Sequence, residues 1–540
     1  MTVSPPPPAQ QRMFDTTALA TEVARRFGTA VTRTSENGGA ASWFVVEDRS
    51  ALVPLCRFLF SEAGCGFAGM IVEERNEWNL RYLFLNPGCG WVYCILRLPL
   101  STRTVPSISV PVHPADWYER EAEDLFGLTF QGHPRLGDFV LHDQVWQEGL
   151  TPMRKAFDAG QTQFELRPQQ DWRPTLVVQD PGAFAMPVGP VYEGGIGESV
   201  HFLLETVGED VIRAVPRLFY NYRGVEKIAE GKSLWDVLLL AERFSAKSAF
   251  AHSLAYCQAV ETALHLETPP RARHLRVALS ELERLRHHAG VINGICRSTA
   301  LAVSESHAAI IEEKLLRASA AFSGHRYLFG LNTPGGLRRD FDSEATSALL
   351  RSVDDALQLL ERLEQRLSYS SSFLDRLEDV VVVSPASARH LNLLGPVGRA
   401  SGLRRDVRRV CPYSGYQHFQ FQVAHEEEGD GYARLRVLFA EARQSASLIH
   451  QAIETLEPGP LCADPVPMRA AAALGWVEAP IGAAGHWVSF GRDGTIERYR
   501  ILSPSFRNWM GLHVAVEDFA FQDFPIILST FGLSATECDR

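Results

Sequence analysis

The spacing of hydrophobic positions changes character along the chain. Between Thr16 and about Leu141 one helical repeat, Leu19 to Phe27, is followed by short apolar runs at Trp43 to Val46, Leu80 to Leu85 and Val92 to Leu98. Their alternation and β-branched content predict a small α/β domain. It closes on Trp117 to Phe126, an amphipathic acidic helix stopped by Gly127. Glu148 to Pro174 is polar and irregular, as a tether would be. After an extended stretch, Thr175 to Phe202, a 3.6-residue period runs through Ser233–Leu266, His274–Thr299, Glu305–Ala321, Ser343–Asp379 and Asp430–Leu456. That predicts a large helical bundle. Trp487–Phe490 and Ile496–Ile501, separated by Gly491-Arg492-Asp493-Gly494, predict a hairpin. The expected architecture is α+β and multidomain: a Pro-rich leader over 1–15, an α/β domain over 16–147, a linker over 148–174, and a mainly helical domain over 175–540 with short β elements at its start and end.

Composition narrows the function classes. At 540 residues the chain exceeds a single core, and 46% hydrophobic with 22% charged residues is ordinary globular usage. The net charge of −11 comes without a long basic run, which argues against a nucleic-acid partner. Apolar windows are cut by charge, as Arg97 cuts Trp91–Leu100, so no transmembrane segment is expected. Met1–Gln11 has four consecutive prolines and no basic, then apolar, export-signal pattern. None of the nine cysteines forms a CxxC pair, so the chain offers no usual cluster or zinc site.

Tempting motifs read more plainly. Gly231-Lys232-Ser233 lacks the glycine of a phosphate loop, where Glu226 stands, and lies between helical stretches; it reads as a turn. Gly194-Gly195-Ile196-Gly197 lacks the third glycine of a dinucleotide fingerprint. His287-His288 reads as a structural pair on a helix, and Glu426 to Gly431 as a solvated acidic turn.

Two longer patterns carry a family resemblance. His113 to Leu136, with Trp117, Glu119-Arg120-Glu121, Asp124, Phe126-Gly127 and Gly132-His133-Pro134, resembles the signature of the C-type subunit of complex I. Pro187-Val188-Gly189-Pro190, Glu198, His201-Phe202 and Gly208-Glu209 resemble the opening of the large subunit of group 4 membrane-bound NiFe hydrogenases, the formate hydrogenlyase and hydrogenase-4 type. Arg223-Gly224-Val225-Glu226-Lys227 is similar to a motif that these hydrogenases share with the D-type subunit of complex I. Further matches are Ala259-Val260-Glu261, Arg399-Ala400-Ser401-Gly402 with Asp406 and Arg408, Pro412 to Tyr416, and Asp523 to Arg540. The resemblance spans nearly the whole chain. It implies a domain like the C-type subunit, fused to a domain like the hydrogenase large subunit or the D-type subunit.

The departures bear on chemistry. The nickel-binding pattern Arg-x-Cys-Gly-x-Cys-x-x-x-His falls on Arg243, Ser245, Ser248 and His252, and the closing Cys-x-x-Cys falls on Ser534 and Glu537. A NiFe centre requires soft bridging thiolates, and serine hydroxyls are hard, protonated, weak ligands. No metal site is expected. Cys538 lies one position off, and Cys296 sits in an unrelated helix. The quinone-protonating tyrosine and histidine that a D-type subunit would supply are also missing: the tyrosine position holds Ala246, and Tyr192 is the one nearby phenol that offers a quinone donor. What remains is a polar set, Glu198, His201, Arg243, Ser245, Ser248, His252, Asp406, Arg408 and Glu537. Burial would raise the pKa of Glu198 and Glu537 into a proton-exchanging range.

The resemblance implies membership of an oxidoreductase complex, quinone-linked or hydrogenase-like, related to NADH-quinone oxidoreductase. The chain would couple electron transfer from a partner's [4Fe-4S] cluster to proton or ion translocation, without hydrogenase activity. Implied partners are an iron-sulfur small subunit like the B-type subunit of complex I, a ferredoxin-like subunit and antiporter-like membrane-arm subunits, at the cytoplasmic face of the inner membrane. The rival readings are a non-catalytic assembly scaffold and an active hydrogenase-4 or formate hydrogenlyase large subunit, the latter opposed by the absent thiolates.

Overall fold

The computed structural model describes residues 14–34, 41–142, 145–147, 149–160, 162, 177–178, 180–190, 199–516 and 519–540. Most of the expected leader and linker therefore lies outside the described residues. Phe14 and Asp15 already belong to the fold: Asp15 caps the helix Thr16–Phe27, accepting from Ala18 N at 2.7 Å, and Phe14 packs edge-on against Phe58.

The first domain is a five-stranded sheet ordered Val31–Thr34, Ser42–Val46, Gly90–Leu98, Trp78–Asn86, Gly66–Glu74. Ser42–Val46 pairs parallel with Gly90–Leu98 and the other neighbours are antiparallel. The last three strands are buried almost end to end, which explains their continuous apolar runs: both faces are covered. The edge strand Gly66–Glu74 meets the second domain. Its Met70 and Val72 carbonyls accept from Arg500 and Arg498 at 3.2 and 2.9 Å, so guanidinium groups cap an edge that would otherwise be open to pairing.

The second domain begins with an antiparallel sheet of Ala183–Val188, His201–Val207, Asp210–Arg217 and the distant Phe519–Ala520. The bundle follows, with Pro270–Ser298 as its buried axis between Gly431–Glu454 and Ala302–Ser323. The stretch expected as one helix over Ser233–Leu266 is two, Leu234–Arg243 and Ala249–Leu264, and the break holds Ser245 and Ser248. Ser233 caps the first of them, its hydroxyl accepting from Asp236 N, so Gly231-Lys232-Ser233 is a helix start and not a phosphate loop. The helix expected to reach Asp379 stops at Ser368. The closing hairpin is part of a three-stranded sheet, Ala471–Ala479, Gly482–Phe490 and Ile496–Leu502. This sheet lies on Ala249–Leu264 so closely that a Cβ on Gly475 would fall 2.0 Å from the Ala255 carbonyl oxygen.

One apolar core runs from the first sheet through Leu502, Phe506, Trp509 and Phe531 of the second domain, so the two domains share a buried seam. No helix among the described residues is long and apolar enough to cross a membrane.

Candidate functional site

The break between Leu234–Arg243 and Ala249–Leu264 brings one short loop against the segment after the helix Phe524–Phe531. That helix ends at Gly532 in the left-handed region, φ 59°, which turns the chain back. Lys247 Nζ then donates to the Leu533 carbonyl at 3.4 Å, joining loop to segment. Ser534 N donates to Ser505 Oγ at 3.2 Å, Glu537 N to Ser534 Oγ at 3.4 Å, and Ser503 Oγ to Glu537 Oε2 at 3.0 Å.

On the other side stands His252, on the first turn of its helix, where its amide donates to the Ser248 carbonyl at 3.0 Å. Its Nε2 lies 3.5 Å from Glu537 Oε1, its Nδ1 is 2.9 Å from His486 Nε2, and His486 Nδ1 is 2.7 Å from the Tyr499 hydroxyl. Ser245, Ser248, His252, His486, Tyr499, Ser534 and Glu537 are all essentially inaccessible to solvent. Ser245 Oγ, Ser248 Oγ, His252 Nε2 and Glu537 Oε1 are buried without a hydrogen-bond partner. Two of these, His252 Nε2 and Glu537 Oε1, face each other at 3.5 Å, and the other two are serine hydroxyls beside them.

The electrostatics correct one expectation. Burial pushes the Glu537 carboxyl up, but His252 and the Ser505 and Ser503 hydroxyls outweigh it and hold the pKa below the usual carboxylate range. Glu537 is therefore a carboxylate. His486 is driven well below the ordinary histidine range by burial, with His252 adding to the effect, and is neutral. Burial likewise raises the Tyr499 phenol well above its normal value, keeping it protonated. A protonated phenol and a neutral imidazole each both donate and accept, so Tyr499, His486 and His252 form a hydrogen-bonded chain at 2.7 and 2.9 Å whose His252 end lies 3.5 Å from the carboxylate.

A nickel-iron centre does not fit this pocket. Its four positions present three hydroxyls and one carboxylate, and no thiolate. The neighbouring Cys538 does not substitute: its thiol is buried, raised well above the normal range by that burial, and donates to the Ser534 carbonyl at 3.6 Å.

The structure divides the remaining expected residues. Asp406 and Arg408 belong to a different buried cluster, where Arg408 bonds Asp406 at 2.6 Å and Glu281 at 2.9 Å, and Arg399 bridges Glu441 at 2.6 Å and Glu478 at 2.7 Å. Two buried arginines there bind four buried carboxylates, which makes Asp406 and Arg408 parts of the bundle core. Arg243, the last residue of its helix, is exposed, with its guanidinium 5.8 Å from the Phe329 ring centre and 3.6 Å from Glu242. It does not reach the pocket, because the helix ends with that side chain facing outward. His201 lines a separate cleft beside the first domain. Glu198 and Tyr192 lie outside the described residues. His288 Nε2 bonds Glu441 at 2.9 Å, as in a structural role, while its Nδ1 is buried without a partner.

His486, Tyr499, Ser503 and Ser505 join the pocket from sequence segments whose spacing gave no hint of it. A second unforeseen feature lies on the seam. Glu121 of the acidic helix and Glu226 of the Arg-Gly-x-Glu-Lys motif share Arg500 and Arg540, at 2.5 to 3.2 Å, with Arg498 also on Glu226 at 2.9 Å. Glu226 is pulled down to about 2, because Arg500, Arg498 and Arg540 overcome its burial.

Comparison with known proteins agrees with this two-part build. Residues 45–163 match the 30 Kd subunit of respiratory-chain NADH dehydrogenase, and residues 307–473 match its 49 Kd subunit. Formate hydrogenlyase subunit 5 of Escherichia coli (strain K12) is 29% identical over 500 residues, covering 91% of this chain and 87% of its own length. Hydrogenase-4 component G of the same organism is 30% identical over 457 residues, covering 83% and 78%. The fused C/D subunit of NADH-quinone oxidoreductase from Acinetobacter baumannii (strain AYE) is 27% identical over 489 residues, covering 82% and 80%. On this basis the chain belongs to the family of fused 30 Kd and 49 Kd subunits that unites the C/D subunit of NADH-quinone oxidoreductase with formate hydrogenlyase subunit 5 and hydrogenase-4 component G.

Proposed function

We propose that this chain is the large subunit of a membrane-associated complex I-like redox complex, in which the Ser245, Ser248, Ser534 and Glu537 pocket handles protons and does not activate hydrogen at nickel. One observation carries the reading. Where thiolates would be needed, the pocket presents a carboxylate facing a hydrogen-bonded chain of Tyr499, His486 and His252. A carboxylate at the end of such a chain accepts a proton and passes it on without large movement of heavy atoms.

In this role a [4Fe-4S] cluster on a small partner subunit delivers electrons near the pocket, and a quinone is the acceptor class that fits the relationship to NADH-quinone oxidoreductase. Membrane-arm partners would take up the coupled proton movement, with the chain held at the cytoplasmic face of the inner membrane. Glu537 and His252 hold and orient the proton, Ser503 and Ser505 keep the carboxylate ionised, and the surrounding apolar core excludes water. A pure scaffold would explain the ion-paired Asp406–Arg408 cluster, but it gives no reason for a buried carboxylate facing a histidine at 3.5 Å beside two unpartnered serine hydroxyls.

The test is metal analysis and redox spectroscopy on the complex purified through this chain, with hydrogen uptake and quinone reduction assayed side by side. Iron-sulfur signals without nickel, and quinone-dependent electron flow that falls at least tenfold in Glu537→Gln while the complex still assembles, are the expected results. Near-stoichiometric nickel with hydrogen uptake would overturn the proposal. Unchanged turnover in Glu537→Gln would leave the scaffold reading standing in its place.

A further inference from the structure

Between the first domain and the sheet Ala183–Val188, His201–Val207, Asp210–Arg217 lies a cleft of about 860 Å³, away from the serine and glutamate pocket. Four arginines line it, Arg120, Arg135, Arg213 and Arg217, and Asp138 is the one carboxylate among its described lining residues. Arg217 is paired with Asp138 at 2.6 Å and Arg213 with Glu205 at 2.6 Å. Arg120 is different. It is 8% exposed, donates only to the Gly137 and Asp138 carbonyls at 3.1 and 3.4 Å, and its Nε is buried without a partner. Its hydrogen bonds go to carbonyls and its guanidinium sits 4.3 Å above the Phe139 ring, with Asp116, Asp124 and Asp138 acting on it from a longer distance than an ion pair, so the cleft keeps a cationic wall for an anion.

The cleft also has an apolar mouth. Val145, Val177 and Tyr220, all on its lining, are 60%, 59% and 39% exposed, which is unusual for large apolar side chains grouped around one opening. His142 and His201, kept neutral by burial and by Arg217, stand beside the arginines as uncharged hydrogen-bonding groups. Cationic depth and apolar rim together select an amphiphile, since a free inorganic anion gains nothing from the rim and a neutral lipid gains nothing from Arg120.

We propose that this cleft binds an anionic phospholipid, with its phosphodiester against Arg120 and Arg217 and its acyl chains against Val145, Val177 and Tyr220. The inference is independent of the redox role, because a scaffold subunit would use the same contact to hold itself at the bilayer.

The purified full chain is titrated calorimetrically with dihexanoyl-phosphatidylglycerol below its micelle concentration, with the phosphatidylcholine homologue and inorganic phosphate as comparison ligands. Flotation with phosphatidylglycerol and with phosphatidylcholine vesicles runs in parallel. Phosphatidylglycerol is expected to bind at least tenfold more tightly than either comparison ligand. Arg217→Gln and the surface variants Val145→Asp and Val177→Asp are each expected to weaken it at least fivefold while melting like the parent. Equal binding of the two lipids, phosphate binding as tightly as the lipid, or unaltered binding in all three variants would each overturn the proposal. So would displacement of the lipid by an acidic peptide of equal affinity, which would assign the cleft to a protein partner.

Discussion

Arg540 Nη2 lies 2.6 Å from Glu121 Oε1, joining positions 419 residues apart in a pair that neither side chain shares with solvent. The same Glu121 takes Arg500 on its other oxygen at 2.5 Å, and Glu226 closes the group. Two carboxylates facing three arginines on the seam make the first domain's acidic helix an electrostatic part of the second domain.

Breaking that group leaves charge buried without a partner. Glu121→Gln is expected to destabilise the chain by about 3 to 5 kcal/mol, the usual cost of removing one member of a buried pair. Glu62→Gln, at an exposed pair with Arg26, is expected to cost well under 1 kcal/mol. Urea denaturation of both variants checks the contrast, and a loss below about 1 kcal/mol for Glu121→Gln would mean that water reaches the seam.

The chain from Tyr499 to His252 makes a prediction that does not depend on activity. His486, kept neutral by burial, has Nδ1 2.7 Å from the Tyr499 hydroxyl and Nε2 2.9 Å from His252 Nδ1, so one of its nitrogens donates and the other accepts. Nitrogen-15 spectra should show one neutral tautomer for His486 in the parent. Tyr499→Phe removes the partner of Nδ1 and should change the His486 tautomer ratio. A His486 spectrum unaltered by the substitution would mean that the phenol does not hold the ring.

A second buried acid dominates one pH response. Glu119, the first glutamate of the Glu-Arg-Glu motif, is pushed up to about 7 by burial, against the pull of hydrogen bonds from Ser107 at 2.5 Å and Ile108 N at 2.7 Å. Its folded pKa stands above the ordinary 4.5, so between those values the folded chain holds a proton that the unfolded chain releases. Stability attached to this group is therefore present below about pH 4.5 and lost as pH rises towards about 7, a span worth roughly 3 kcal/mol. Glu119→Gln should flatten the stability profile across that window. A profile unchanged by the substitution would show that Glu119 is ionised in the fold.

The helical domain was legible because each long helix buries one stripe on a neighbour, and the 3.6-residue period survives in the sequence; Gly431–Glu454 and Ala302–Ser323 fall within a few residues of the periodic stretches. The break after Arg243 was not, since Phe244 and Ala246 continue the apolar pattern while the backbone turns. In the site, Ser245, Ser248, His252 and Glu537 were legible through motif spacing. His486 and Tyr499 were not: they lie on paired strands amid apolar neighbours, and their meeting depends on a sheet that docks across the helix. Motif spacing alone would place Asp406 and Arg408 at the site, but ion pairing to Glu281 draws them into the bundle core. Sequence spacing reports that a charge is needed, and only the fold tells what it pairs with.

The four positions where the family resemblance implies nickel ligands give the last prediction. In Ser245→Cys/Ser248→Cys/Ser534→Cys/Glu537→Cys, each new thiol enters a pocket where burial raises Cys538 well above the normal thiol range. Removing Glu537 also takes away the negative charge that His252 faces at 3.5 Å. At Ser245 and Ser248, whose hydroxyls have no partner, the change to cysteine should cost less than about 1 kcal/mol each, since an unsatisfied group is being removed. The quadruple variant is thus expected to fold and to remain protonated at its thiols. Reaction with a thiol probe should accelerate only well above about pH 8.5, the ordinary cysteine value. Nickel measured in the purified variant should stay far below one per chain, because protonated thiols are poor ligands and nothing in the pocket lowers their pKa. A nickel content approaching one per chain, with thiols reactive at neutral pH, would show that the pocket has the electrostatics of a metal cage.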